Sequence, residues 1–172
     1  MKTADLLADE FGRVHYEVHQ CVDGLPPEQL ALRPDGAANS IAWLVWHLTR
    51  IQDDHVADVA GTEQVWTADG WADRFGLPFL PSATGYGHGS GEVAAVQVKS
   101  ADLLTGYHDA VFQRTLRYLP GLTDQDLDRV VDTSWDPPVT LGVRLISVIS
   151  DDLQHAGQAA FIRGVLERRA TG

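Results

Sequence analysis

Four long segments with apolar residues at helical spacing constrain this 172-residue chain more than any other feature. In each segment apolar residues recur every three or four positions, which is the pattern of a helix with one buried face. Capping residues and Gly or Pro stops bound the segments, and we expect no strand ladder. The sequence therefore predicts an all-α four-helix bundle, as a single domain over residues 1–172. The segments run from about Thr3 to Asp23, Ser40 to Ala60, Ser100 to Leu119 and Thr140 to Arg168.

A long irregular stretch, residues 61–99, joins the second and third segments and is rich in glycine and aromatic residues. A free linker does not usually carry so many rings, so we expect this crossing to be ordered and to wrap the bundle. A short helix is expected from Glu92 to Val96. The insert at residues 121–139 contains TDQDLDRV, which predicts one helical turn, followed by the extended run TSWDPPV.

Charge and hydropathy limit the classes of partner. The formal net charge is −11 and the sequence pI is about 4.8. An acidic surface repels phosphate backbones and anionic lipid, so we expect neither nucleic acid nor a membrane surface as a partner. No stretch reaches the roughly 18 uncharged apolar residues of a membrane span, and the acidic start is not a signal peptide. We therefore expect a cytoplasmic protein that acts on a small molecule; the sequence leaves open whether it forms a homodimer.

The chain offers no strong nucleophile of its own. Its single cysteine, Cys21, excludes a disulfide framework and a cysteine-rich metal site. This residue lies near the end of the first helix, where the helix dipole raises the pKa of a thiol. No nucleophile elbow occurs, and GYGHGSG at residues 85–91 lacks the lysine and the strand–helix context of a phosphate-binding loop.

The clearest chemical signal is Asp151-Asp-Leu-Gln-His155 on the fourth helix. Side chains at positions i and i+4 stack on one helix face about 5–6 Å apart, so Asp151 and His155 can share a divalent ion. A helical wheel places both on the stripe that faces the bundle core. A carboxylate there is costly unless it is paired or bound to a cation. The structural alternative is an arginine salt bridge to Asp151 beside a hydrogen-bonded core histidine.

A third ligand would come from the second helix, where the choice lies between His47 and His55. The wheel slightly favours His55, which lies near the middle of the apolar stripe. His15 and His19 form a second HxxxH pair on the first helix, at the edge of its stripe, and are interpreted as boundary residues. His88, in the glycine-rich loop, is interpreted as a surface residue. The alternative is that it lies over the mouth of a pocket.

Two segments carry a resemblance to a known family. SIAWLVWHLTRIQDD on the second helix and DDLQHAGQAAFIRG on the fourth resemble the signature segments of the DinB-like superfamily, which are four-helix bundles with a metal site between helices. The resemblance extends across nearly the whole chain. YGHGS, SADLL and WDPPVTLGVRL resemble its mycothiol-transferase-like branch, and the HxGQ element at residues 155–158 is the most specific piece.

The resemblance implies three metal ligands. One is the histidine of the WHL segment, here His47, and the others are an i, i+4 pair on the last long helix, here Asp151 and His155. It thus selects His47 over His55, against the wheel. In the mycothiol-dependent maleylpyruvate isomerases that pair is glutamate and histidine, so the shorter aspartate is a departure that bears on metal affinity. Those isomerases carry a further C-terminal domain with no counterpart here, and we do not expect isomerase activity.

Two functions follow as hypotheses. A metal-dependent thiol transferase would hold a divalent ion, zinc first and nickel or another first-row ion next, with open positions. A low-molecular-weight thiol such as mycothiol would lose its proton there and attack a small electrophile, under loops that carry Tyr86, His88 and Trp135. The alternative is a non-catalytic bundle that binds a metal or a ligand. An ion position open to a pocket favours the enzyme.

Overall fold

The computed structural model describes residues 2–170 and consists mostly of helices. Two 3₁₀ turns, Leu119–Gly121 and Asp126–Asp128, precede a small sheet of β1 (Val130–Asp132) and β2 (Val139–Thr140). The helices in chain order are α1 (Thr3–Val22), α2 (Pro27–Leu30), α3 (Ile41–Ala60), α4 (Val65–Ala68), α5 (Trp71–Phe75), α6 (Ser90–Ala95), α7 (Ala101–Tyr118) and α8 (Leu141–Ala170).

The four long helices form the predicted bundle. α1 and α3 each pack against both α7 and α8, so α1 lies diagonally from α3. The first turns of α3 are apolar on nearly every side and are buried throughout, which makes α3 the central helix. Ser40 caps α3 because its hydroxyl accepts from the Trp43 N–H at 3.1 Å, and Gly61 ends the helix in the left-handed conformation. No helix within residues 2–170 is long and apolar enough to cross a membrane.

The connections differ from the predictions in several places. No helix was predicted where α2, α4 and α5 lie. The helix expected from Glu92 to Val96 is α6, which begins two residues earlier, at Ser90. The insert holds a 3₁₀ turn where one helical turn was predicted. Most of the run TSWDPPV, which was predicted to be extended, is a bend between two short strands. These strands pair antiparallel, with Val130 opposite Thr140. The expectation of no strand pairing is therefore wrong for this ribbon. Strands of three and two residues are too short to show an alternating pattern in the sequence.

A buried polar network attaches the crossing between α3 and α7 to the bundle. The Asp53 carboxylate accepts from the backbone N–H groups of Val65 and Trp66, at 2.8 and 2.7 Å, and from the Tyr107 hydroxyl at 2.8 Å. Arg50 Nη1 lies 3.5 Å from the same carboxylate and donates to the Tyr107 oxygen at 3.2 Å. Burial raises the Asp53 pKa, although these donors oppose the rise. The first turn of α4 is thus fixed to α3 through one carboxylate.

Replacing Asp53 tests this attachment. Asp53→Ala leaves the buried Arg50 charge and two backbone N–H groups without their partner, so we expect a loss of about 3–5 kcal/mol of unfolding free energy. Urea denaturation measures it, and limited proteolysis should show faster cleavage within residues 61–99. The control is Asp58→Ala, at an exposed position of the same helix, which should change stability by no more than about 0.5 kcal/mol. Equal losses in the two variants would contradict the assigned role.

His108 on α7 is fully buried and neutral. The Thr49 hydroxyl donates to the Val45 carbonyl at 2.7 Å, so it accepts from His108 Nδ1–H, 3.1 Å away. Burial lowers the His108 pKa from its ordinary 6.5 to about 3, and the neighbouring His15 adds to the effect. Between these two values the unfolded chain binds a proton at this residue that the folded chain does not bind.

Stability should therefore fall as the pH decreases through this interval. The unfolded state binds up to one more proton there, which corresponds to a slope approaching about 1.4 kcal/mol per pH unit from this residue. His108→Leu removes the titrating group, so its unfolding free energy should depend less steeply on pH between 6.5 and 4. Denaturation curves across that range measure both slopes. Parallel slopes would mean that His108 is protonated in the folded state.

Candidate metal centre

Three potential ligands converge where α3 packs on α8. His47 comes from α3, and Asp151 and His155 come from successive turns of α8. His47 Nε2 lies 4.0 Å from Asp151 Oδ2, and His155 Nε2 lies 3.5 Å from Asp151 Oδ1. One ligand atom from each residue falls within 4.8 Å of the others, so the set could hold a divalent ion. The structure thus brings together the three residues that the resemblance selected.

A backbone carbonyl fixes the His47 tautomer. Thr84 O lies 2.6 Å from His47 Nδ1, so Nδ1 carries a proton and donates. Burial lowers the His47 pKa, which keeps the ring neutral and leaves a lone pair on Nε2. That lone pair faces the Asp151 carboxylate with no proton between them. Two acceptors held 4.0 Å apart repel each other, and a cation between them would relieve that repulsion.

Unpartnered buried atoms at the same place also fit a cation. Asp151 Oδ2 and His155 Nδ1 are inaccessible to solvent and have no hydrogen-bond partner among residues 2–170. Burial raises the Asp151 pKa, but the hydrogen bond and charge of His155, together with His47, outweigh burial and hold the pKa below its ordinary value. The carboxylate is therefore ionised near neutral pH. Imidazole nitrogens beside a charged carboxylate are ligands that zinc and other first-row ions bind.

Aromatic rings form one wall of this centre. Trp43 stacks on His47 at 4.6 Å between ring centroids and 16° between planes. Its indole N–H donates to His88 Nδ1 at 3.2 Å, and His88 stacks on Trp46. His88 is thus part of the wall rather than a plain surface residue. The other two loop residues expected to cover the site, Tyr86 and Trp135, are largely exposed.

The position of Asp151 on α8 differs from the prediction. The wheel placed Asp151 on the core-facing stripe, whereas its side chain is 36% exposed and lies at the edge of that stripe. The middle is taken by Asp152, which is fully buried and whose oxygens have no hydrogen-bond partner in the described part of the chain. Burial, and then the charge of Asp151, raise the Asp152 pKa well above its ordinary value, so Asp152 is neutral.

Two grooves run along α8 beside the centre. Asp151 lines a groove of about 560 Å³, and Gln154 separates it from a second groove of about 680 Å³ that reaches Gln158. The carboxylate edge of the centre therefore faces a space large enough for a small molecule. The first groove is lined by Gly142, Val143, Ile146, Ser147, Ser150, Asp151 and Gln154.

Comparisons with known proteins identify the family of this chain. A sequence model of the mycothiol-S-transferase family matches residues 7–168. The chain belongs to the mycothiol-S-transferase family, within the DinB-like superfamily. A solved structure, described as a conserved protein from Enterococcus faecalis, superposes with a TM-score of 0.89 and 29% identity over 95% of this chain and 96% of that one. No match was found among the curated proteins.

The remaining histidines of this family member lie elsewhere. The wheel favoured His55, whose Nδ1 lies 3.3 Å from Arg144 Nη1. Arg144 Nη2 in turn pairs with Asp132 Oδ2 at 2.7 Å. His55 thus belongs to an ion-pair cluster outside the His47 group. His15 and His19 lie between α1 and α7 and both contact one oxygen of Asp109. No sequence pattern associates Asp109 with them, because 90 residues separate it from His19.

Cys21 is unsuited to nucleophilic catalysis, as predicted, although for a different main reason. Burial raises its thiol pKa to about 12, and the charge of Glu17 adds to the rise. Its Sγ faces the Ala156 carbonyl at 3.4 Å rather than a cavity. A reactive thiolate at this site would therefore have to come from a molecule other than Cys21.

Glycine is the only residue type that fits at position 85, beside His47. Its φ is +96°, and a Cβ built there would lie 2.6 Å from His47 Nδ1 and 3.0 Å from Trp46. The crossing can approach α3 closely enough for the Thr84 carbonyl to reach His47 because the next residue has no side chain.

Substituting Gly85 should move His47. Gly85→Ala combines a left-handed backbone cost of about 1–2 kcal/mol with overpacking of about 1–3 kcal/mol. Gly87→Ala is the matched control, since its φ of +77° carries the backbone cost but nothing lies within 4 Å of the new Cβ. Urea denaturation should show the larger loss for Gly85→Ala, and its tryptophan fluorescence should change through Trp46. Equal losses of unfolding free energy in the two variants would show that the crossing moves to admit the new Cβ without strain.

Proposed function

We propose that this chain is a divalent-metal-dependent thiol S-transferase that joins a mycothiol-type thiol to a small electrophile. The observation that carries the proposal is the meeting of His47 Nε2 and Asp151 Oδ2, two acceptors 4.0 Å apart beside an open groove. Membership of the mycothiol-S-transferase family supports the choice of thiol. We place the reaction in the cytoplasm, where thiols are kept reduced.

His47, Asp151 and His155 would hold the ion, with zinc as the first choice and nickel or another first-row ion next. When bound, the ion would lower the pKa of a low-molecular-weight thiol so that its thiolate is the nucleophile at neutral pH. Three protein ligands leave positions for substrate, which is the arrangement of catalytic rather than structural zinc. Aspartate is one methylene shorter than glutamate, but Asp151 already faces both imidazoles through its two oxygens.

The chain's own residues do the positioning. The Thr84 carbonyl holds His47 Nδ1–H, which directs Nε2 towards Asp151. Trp43 covers one face of the His47 ring and limits water on that side. Substrates would approach along the α8 grooves, where Gln154 can donate and accept hydrogen bonds. An acidic protein suits a small substrate better than a polyanion.

Metal binding tests the ligand assignment. Alanine at His47, Asp151 or His155 should each abolish binding of one equivalent of zinc, because each removes one of three ligands. Inductively coupled plasma analysis of dialysed protein and calorimetric titration measure it. Asp151→Asn is the sharper variant, since it keeps the shape and removes the charge. His55→Ala is the control and should bind as the wild type does. Loss in His55→Ala with retention in His47→Ala would reverse the assignment.

Thiol consumption tests the reaction. The loaded protein should consume mycothiol or a related small thiol with an electrophile panel, and activity should persist well below the free thiol pKa of about 8.5. Asp151→Asn should lose this activity together with metal. If loaded protein binds no thiol by calorimetry and consumes none, the transferase proposal fails. The chain would then be a non-catalytic metal-binding bundle.

A further inference from the structure

A second group of metal-type ligands lies between α1 and α7, away from the His47 group. His15 and His19 occupy successive turns of α1, and Asp109 faces them from α7. Both histidine Nε2 atoms lie 2.7 Å from the same oxygen, Asp109 Oδ1. The two imidazole ring centroids are 4.7 Å apart. Three potential ligand atoms from two helices thus lie close together, which is an arrangement that can hold a metal ion.

The spacing of the three atoms is close to what a cation requires. Bonds of about 2.0–2.1 Å in a tetrahedral site place neighbouring ligand atoms roughly 3.3 Å apart. The contacts of 2.7 Å would therefore open by roughly 0.6 Å to admit an ion. Rotation of the His19 and Asp109 side chains supplies such a movement readily, because they are 38% and 47% exposed. That exposure also leaves a side of the ion open to water.

The inner wall of the group is rigid. His15 stacks on Phe112 at 4.3 Å with 20° between ring planes, and on the buried His108 at 5.7 Å. These rings hold His15 in place, so one ligand is already oriented before an ion arrives.

We propose that His15, His19 and Asp109 form a second divalent-cation site, for zinc or a similar first-row ion, which ties α1 to α7. The carboxylate supplies the negative charge and the two imidazoles supply nitrogen ligands. Binding uses the Nε2 lone pairs, so each imidazole carries its proton on Nδ1 in the bound form. In the structure the Nε2 atoms instead face a carboxylate oxygen that accepts hydrogen bonds. The site is independent of the proposed transferase reaction.

Zinc titration of the metal-free full chain, in competition with a chromophoric chelator, tests this site. The wild type should bind two equivalents, and His19→Ala should bind one. His47→Ala should lose the other equivalent, and the double variant His19→Ala/His47→Ala should bind none. If the wild type binds one equivalent that His19→Ala loses, the second site stands and the His47 site fails. If His19→Ala binds as many equivalents as the wild type, the second site is overturned.

Asp109→Asn separates a three-ligand site from a histidine pair on a helix surface. Loss of an outer-shell partner typically costs 10–100-fold in affinity, so loss of a direct ligand should weaken this equivalent by at least about tenfold. Unchanged affinity in Asp109→Asn would overturn the proposal. A second readout is ¹⁵N NMR of the imidazoles in His47→Ala, where zinc should move the His15 and His19 protons from Nε2 to Nδ1. Zinc should also raise the melting temperature of His47→Ala, but not that of the double variant.

Discussion

The buried contact between Arg50 and Asp53 is the interaction on which the candidate centre depends. Asp53 binds the first turn of α4, and Arg50 Nε donates to the Ala83 carbonyl at 3.1 Å near the other end of the crossing. One turn of α3 thus fixes a segment that would otherwise be a loop. The residue after Ala83 is Thr84, whose carbonyl sets the His47 tautomer. A buried ion pair is weak evidence for stability. The pair of Arg50 and Asp53 nevertheless holds the crossing where the Thr84 carbonyl can reach His47.

Adjacent carboxylates on α8 behave differently because of where the helix places them. Asp151 lies at the edge of the buried stripe, beside two imidazoles and a groove, and its pKa is held low. Asp152 is turned by about 100° into the core, where burial raises its pKa and leaves it neutral. One negative charge, not two, therefore faces the His47 and His155 rings. A single carboxylate charge beside the two imidazoles would leave a bound divalent ion a stronger Lewis acid than two charges would.

The four helices were predictable because each buries one apolar stripe and ends at recognisable caps, such as Ser40 and Gly61. The pair of Asp151 and His155 was also visible, since an i, i+4 spacing is a local property. Contacts across the bundle were not, because no single-chain pattern records that Thr84 reaches His47. The wheel erred at Asp151 for a related reason. It estimates a mean buried direction, whereas the real boundary depends on which helices lie on each side of α8.

The two candidate ligand sets have the same arrangement. Each consists of an i, i+4 pair on one helix and a third residue from a neighbouring helix. They differ in what surrounds them. In the set containing His47, a carbonyl and a stacked ring fix the histidine, and a groove borders the carboxylate. Two buried atoms of this set have no hydrogen-bond partner within residues 2–170. In the set containing Asp109, the atoms are already hydrogen-bonded and face water. The first arrangement keeps its ligands unsatisfied, which favours reaction with an incoming substrate, and the second suits a tie between helices.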